Sequence, residues 1–288
     1  MTEGFLNLFK PSGMSSHAAV SRVRRLIGIR QIGHAGTLDP DASGVLPLAV
    51  GAYTRLLPYA QLVPKVYQAR VQMGTATLSG DAGGRVTRRS AVWPVGQETL
   101  QQAARWLQGN VWQIPPQVSA LKTGGRRHYQ MVHEQQSVWP APRRALIGAI
   151  EAVSPLPEGW TFRAQVGSGT YIRALVRDWA EILGVAAHLA ELRRDRVGVF
   201  GLSDAVTLDQ LEQNPSQWQD WILPWFRVLG LSGTFFVTES DAKRVGHGDI
   251  RVLGALPASS QPGIYGIQWD NHLLAVIEGP PWRYRLVL

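Results

Sequence analysis

Residues 5–9 form an apolar-rich run that reads as a short strand, broken by Lys10-Pro11-Ser12-Gly13. Ser15 and Ser16 can then cap a helix running to about Gly28. In it Val20, Val23 and Ile27 recur at helical spacing, while Arg22 and Arg25 point elsewhere. A glycine-hinged loop follows over residues 33–44, and residues 45–50 make an apolar run suited to a buried strand. Along residues 65–73, Tyr67, Ala69, Val71 and Met73 alternate with Gln68, Arg70 and Gln72, the pattern of a half-exposed strand. Residues 75–89 read as a loop rich in Gly, Thr and Arg. Residues 98–108 read as a helix with Leu100, Ala104 and Leu107 on one face, and 113–128 as a second basic loop. Strand-like runs recur at 145–153 and 160–166. The strongest helical signal covers 171–183, where Arg173 and Arg177 share a face apart from Ile172, Leu175, Val176 and Trp179.

Strands and helices alternate irregularly, which predicts an α+β domain rather than a doubly wound sheet. After a Pro/Trp-rich segment at 214–226, a boundary is expected near 228–234. Beyond it, residues 264–269 and 273–277 flank Asp270-Asn271-His272, a hairpin signal. The expected organisation is a large domain over 1–231 and a small β-rich module over 232–288.

Composition sharpens this picture. A chain of 288 residues, 45% apolar, can bury a sizeable core. Charged residues are only 17% of it, yet the net charge is +8. Of the 29 cationic residues only Lys10, Lys65, Lys122 and Lys243 are lysines. Arginine's planar fork matches phosphate, so the excess favours a nucleic-acid partner, although a basic solubility surface gives the same total. The absence of cysteine removes disulfides, thiolate metal sites and cysteine nucleophiles. Residues 1–10 lack an export-leader pattern and no apolar run is long enough for a membrane span, so a cytoplasmic location without membrane association is expected.

Several signatures fail on inspection. Ser119-Ala-Leu-Lys122 and Lys122-Thr123-Gly124 resemble serine-acylase motifs, but one lysine would have to serve both. His133-Glu134 opens like a zinc-protease motif, yet position 137 is Ser137 rather than histidine. Gly167-Ser168-Gly169 lacks the third glycine of a dinucleotide fingerprint. No metal and no cofactor is expected.

What remains is the loop Gly33-His34-Ala35-Gly36-Thr37-Leu38-Asp39-Pro40-Asp41-Ala42-Ser43-Gly44. Pro40 disfavours helix at Asp39, and the glycines permit close backbone approach by a ligand. On spacing alone Asp39 reads equally as a turn residue or a catalytic acid. The stretch 33–51, however, closely resembles the catalytic motif of the TruB family of tRNA pseudouridine synthases. Further segments match in the family's order: Lys10-Pro11 with Ser12-Gly13-Met14, Lys65-Val66-Tyr67 with Met73-Gly74, Pro115-Pro116 with Ser119 to Lys122, Gly169 to Arg173, and His188 to Arg194. The resemblance spans about residues 4–212.

The resemblance implies a pseudouridine synthase fold with a mixed, mostly antiparallel central sheet flanked by helices. It implies isomerisation of uridine 55 in the tRNA T loop: the N1–C1′ bond breaks, uracil rotates, and C5 joins C1′. By the same resemblance Asp39 is the catalytic acid and Asp41 a solvated neighbour. His34 fills the space vacated by the flipped base, and Tyr67 stacks on that base. Arg173 pairs with Asp39, Leu192 lines the apolar pocket, and Lys10 and Pro11 support its wall. Gly33, Thr37, Lys122, Arg126 and Arg127 join the RNA-contacting set, with an insertion over 126–144 that also carries Arg143 and Arg144 expected to act as a mobile clamp. Residues 237–248 resemble part of a PUA module, a small RNA-binding β-barrel.

The residue types fit this chemistry. A uridine in a folded loop must be extruded before an enzyme reaches its glycosidic bond, and an aromatic face stacks on any base. Blander readings stand beside these: a core tyrosine on a strand face for Tyr67, a solvated helix face for Arg173, a loop hydrogen-bonder for His34. One departure stands out, since Leu78 occupies the place of an acid usual in the family, while Asp81 and Gly84 match it. The expected partner is the T-arm of tRNA, bound by a monomer. Two rivals are a guide-RNA-directed H/ACA-type synthase, which normally carries extensions before its Lys-Pro motif, and a tRNA-folding RNA-binding protein without essential catalysis.

Overall fold

The computed structural model describes residues 3–119, 121–134, 139–257 and 261–288. Strand β1 (Gly4–Lys10) ends where Pro11 and Gly13 turn the chain. Helix α1 (Ser16–Ile27) starts at Ser15, whose Oγ accepts from the Ala18 N–H, and stops at Gly28 in the left-handed region, φ 72°. Short β2 (Ile32–His34) and β3 (Ser43–Val50) come from the two ends of the glycine loop and pair with each other, so they fix both its roots. Strand β4 (Lys65–Met73) has the bounds its alternation predicts. The expected loop at 75–89 instead holds a hairpin of β5 (Thr75–Thr77) and β6 (Val86–Arg89). Helix α2 (Gln97–Trp106) leads into β7 (Gly109–Gln113). The second basic loop contains β8 (Lys122–Thr123) paired with β9 (Arg126–Arg127), then α3 (His128–His133).

The chain then forms β10 (Arg143–Leu156), β11 (Gly159–Val166), α4 (Ile172–Ile182) and β12 (Ala187–Val197). Small elements β13 (Phe200–Gly201), β14 (Val206–Thr207), α5 (Leu208–Gln213), β15 (Ile222–Leu223) and α6 (Trp225–Val228) close this part. The remainder comprises β16 (Gly233–Phe236), α7 (Glu239–Gly246), α8 (Ile250–Gly254), β17 (Gly263–Trp269), β18 (His272–Gly279) and β19 (Arg283–Val287).

The large sheet runs β14-β1-β3-β12-β4-β11-β10-β7, with β2, β13 and β15 pairing off this path. Only the β1–β14 and β3–β12 pairings in it are parallel, so it is the mixed, mostly antiparallel sheet expected. Strand β12 joins two halves unequally. It pairs with β4 from Ala187 to Val197 but with β3 only at Arg193 and Arg194. The cores follow this division. Trp160, Phe162 and Trp179 pack at centroid distances of 5.1–5.4 Å between β4, β11 and α4. Leu6, Leu8, Leu46 and Leu48 form a separate cluster with α1.

The sequence does not announce β12 as a strand. Its buried positions are Ala187, Leu189, Arg194 and Val197, with Leu192 half-buried. Register breaks between Leu189 and Glu191 and between Arg194 and Arg196 turn period two into alternating steps of two and three. That spacing imitates a helix face, which is why periodicity fails here.

The second sheet, β16-β17-β18-β19, has its own core of Val245, Val252, Leu253, Ile267 and Ile277. Its β17–β18 hairpin turns at Asp270 and Asn271, both left-handed (φ 45° and 61°), as the turn signal predicts. Leu273 and Val276 on β18 also enter a cluster with Phe5, Val45 and Trp225, and the Trp225 indole donates to the Asn271 carbonyl at 3.2 Å. No helix among the described residues is long and apolar enough to cross a membrane.

Candidate active site

The loop carrying Asp39 is held from three directions. Leu38 is buried, and its N–H and carbonyl both bond the Ser16 hydroxyl at 2.9 Å, which ties the loop to the first turn of α1. Lys10, fully buried, donates from Nζ to the carbonyls of Pro11 (2.8 Å), Met14 (2.6 Å) and Pro40 (3.0 Å). Arg194, also fully buried, donates to the carbonyls of Val45 (2.8 Å), Gly36 (3.0 Å) and Thr37 (3.3 Å). At Gly44, φ is 110° and a Cβ would stand 2.2 Å from the Arg194 carbonyl oxygen, so only glycine lets β12 pass this close.

Arg173 enters from the first turn of α4 and is 6% exposed. Its Nε lies 2.9 Å from Asp39 Oδ2 and its Nη1 3.4 Å from Asp81 Oδ2. Nη1 also donates to the carbonyls of Ser79 (2.8 Å) and Val118 (3.0 Å). The solvated helix face is therefore excluded for this arginine. Asp81 is braced by the Ser79 hydroxyl at 2.6 Å, and a Cβ at Gly84 would strike that hydroxyl oxygen at 2.1 Å. The glycine of this matching segment thus makes room for the brace. Asp39 keeps 41% of its side chain exposed, toward a cleft of about 670 Å³ lined also by Asp41, Asp81, Arg173, Leu189 and Leu192.

The start of α4 has no side-chain cap of its own. Gln113, buried at the end of β7, supplies one: its amide accepts from the Tyr171 N–H (2.8 Å) and donates to the Tyr171 carbonyl (3.1 Å). Arg177 adds a bond to the Ile114 carbonyl at 2.9 Å. The segment after β7 is thus strapped to the helix that presents Arg173.

Positive charge gathers beneath the loop. Burial pushes the Lys10 ammonium down to about 8, against the opposing pull of Asp39 and Asp41. Burial also lowers Lys65 and His34, with Arg194 acting in the same direction on both. His34 is therefore neutral at pH 7, and its buried Nδ1 has no hydrogen-bond partner among the described residues. For Lys10 the sign is fixed. Its folded value lies below the ordinary 10.5, so the unfolded chain binds more protons between about 8 and 10.5, and stability rises with pH there. Function should move the other way, because a neutral amine has one donor fewer than the three carbonyls require. Single-turnover rates measured from pH 7 to 9.5 should fall with an apparent pKa near 8, and Lys10→Arg should lack that limb. A flat wild-type profile would contradict this reading of Lys10.

The expected site residues divide into groups. Asp39, Arg173 and Leu192 meet in the cleft, and Lys10, Pro11 and Thr37 supply or hold the backbone beneath it. Gly33 and His34 lie on β2 opposite Ala49 and Leu48. Tyr67 is 7% exposed and packs in the cluster containing Leu38 and Ala42, while Ala69, two residues on, reaches the cleft wall. Asp41 is exposed. Lys122, Arg126 and Arg127 lie on the small β8–β9 hairpin, and Arg126 pairs with Glu134. Within the expected clamp, residues 135–138 lie outside the described residues. Residues not singled out from sequence are Arg194, Asp81, Gln113 and Lys65. Asp81 and Arg194 were within reach, since both sit in matching motifs; Gln113 carried no signal, because its partner is backbone 58 positions away. Among the described residues no group of three or more His, Asp or Glu side chains is placed to hold a metal ion.

Comparison with known proteins adds independent findings. Residues 24–172 match the model of the TruB family pseudouridylate synthase N-terminal domain, and residues 173–225 that of the tRNA pseudouridylate synthase B C-terminal domain. A protein of Moorella thermoacetica named tRNA pseudouridine synthase B is 44% identical over 215 residues, 73% of this chain and 70% of that one. A protein of the same name from Mycobacterium sp. (strain KMS) is 36% identical over 293 aligned positions, covering 99% and 95% of the two chains. A solved chain from a Cbf5-Nop10-Gar1 complex superposes with a TM-score of 0.67 at 24% identity, covering 99% of this chain and 84% of that one, a likeness of fold.

Proposed function

The chain belongs to the TruB family of pseudouridylate synthases, and from that premise we propose that it isomerises uridine 55 in the T loop of tRNA to pseudouridine. The observation that carries the reading is the Asp39–Arg173 pair at 2.9 Å on the wall of an open cleft. Arg173 is fixed by two carbonyls and Asp81, so it holds the Asp39 carboxylate, which lines the cleft, in one orientation.

The reaction needs no redox change. A flipped uridine enters beside Asp39. The carboxylate either attacks C1′ as the N1–C1′ bond breaks, or removes the C2′ proton so that uracil departs and a glycal remains. Uracil, detached with the bonding electron pair, rotates within the cleft; C5 then bonds to C1′ as the Asp39–C1′ ester bond breaks, or adds to the glycal as Asp39 returns the proton to C2′, and the C5 proton is lost. Leu189 and Leu192 line the cleft beside it, and Tyr67 beneath the loop supplies the ring for stacking. Neutral His34 acts as a space-filler where the base has left. We further assign catalysis to residues 1–231, RNA binding by a PUA-like module to 232–288, and clamping to the 126–144 insertion up to Arg143 and Arg144, which already belong to strand β10 of the large sheet. Relatives at 36–44% identity that are named tRNA pseudouridine synthase B favour a tRNA enzyme over a guide-RNA-directed subunit.

The test is incubation of purified protein with unmodified tRNA transcript, followed by chemical mapping of pseudouridine. Modification at position 55 is expected. Modification confined to another position would overturn the site assignment, and none anywhere would overturn the activity.

A further inference from the structure

The large sheet has an open face beyond the cleft. Gln68 and Arg70 on β4 and Thr161 on β11 line the cleft and point away from the buried positions of their strands. Strand alternation carries that face outward to β10 and β7, where Arg144 lies directly opposite Trp112 in the register. Trp112 is 67% exposed, and the Arg144 guanidinium sits 5.6 Å from its ring centroid. Among the described residues no acidic side chain pairs with Arg144, whereas Arg70 and Arg163 nearer the cleft pair with Glu191 and Glu151. Leu146, 50% exposed, extends the same face.

Trp112 is too exposed for a core role. Arg144 sits over the Trp112 ring, most of which stays exposed. We propose that Trp112 and Arg144 form a second RNA contact, taking one unpaired nucleotide of the substrate with its base stacked on Trp112 and its phosphate at Arg144. The chemistry is that of single-strand recognition: a ring accepts any base, and an unpaired guanidinium adds charge for the backbone. The platform stands four strands from β12, roughly 19 Å across the sheet at ordinary strand spacing, so it holds a nucleotide other than the one being isomerised. This inference rests on the tRNA reading above and adds to it a footprint on the β7 edge.

The experiment measures tRNA affinity of the full chain by filter binding over a salt series. Trp112→Ala should weaken binding about tenfold and Trp112→Phe by no more than about threefold, because phenylalanine keeps a stacking face. Arg144→Ala should lower the slope of log K against log salt by about one. Transcripts carrying 5-iodouridine should crosslink, under ultraviolet light, to a peptide containing Trp112. Wild-type protein that neither binds nor modifies tRNA would sink the function proposed above. Wild-type protein that does both, with Trp112→Ala binding within twofold of it, would sink this inference alone.

Discussion

Asp39→Asn is expected to lower the single-turnover rate of pseudouridine formation by at least about 10³-fold, the scale lost when an essential nucleophile or base is removed. The substitution is nearly isosteric. An asparagine oxygen can still accept from Arg173 Nε, and Arg173 keeps Asp81 and two carbonyls, so no buried charge is orphaned. With 41% of the side chain exposed, the fold has little to lose. The variant should therefore melt within a few degrees of the parent and bind tRNA within about threefold, leaving chemistry as the step affected. A variant retaining a tenth of the parental rate would remove Asp39 from the catalytic role.

The largest effect on stability is expected at Arg194→Ala. Its guanidinium is fully buried and serves three carbonyls, two of them in the loop that carries Asp39. Alanine leaves those acceptors without their donor and opens a void between β12 and β3. Unsatisfied buried groups cost about 1–3 kcal/mol each, and with partial relaxation the sum should be about 3–5 kcal/mol. At the scale usual for large domains this lowers Tm by roughly 10 °C. Activity should fall as well, because Gly36 and Thr37 lose their anchor. Thermal melts with parallel rate measurements check both; an unchanged Tm would show that the three bonds do not hold the loop. Arg194→Lys, with one donor centre in place of a fork, should recover only part of the loss.

Much of the fold was legible because its elements obey simple periods. The β4 alternation and the Ser15 and Gly28 caps of α1 could be read directly. What escaped was structure set by distant partners. Short β2 and β7 carry no pattern of their own and exist through β3 and β10. The β12 bulges disguise a central strand. At the site, composition pointed to a polyanion but could not choose between Asp39 and Asp41. Motif order made that choice, and the geometry then placed Arg173 beside Asp39. The resemblance already pointed to Lys10, and Asp81 and Arg194 lay in matching motifs; what a single sequence does not display is the set of carbonyls and carboxylates that these side chains bond.

The two-residue junction between β3 and β12 has a consequence for how the molecule comes apart. Local openings follow lines of sparse bonding, and this seam separates two apolar cores that share few ladder bonds. Asp39 sits on the loop that leads into β3, and Leu38 and Ala42 around it pack into the core of α4, the helix that presents Arg173. The catalytic pair thus depends on the loop between β2 and β3 staying docked against the α4 core, not only on each core's own folding. A chain in which both cores remain folded but undocked would keep nearly all its secondary structure and have no active site.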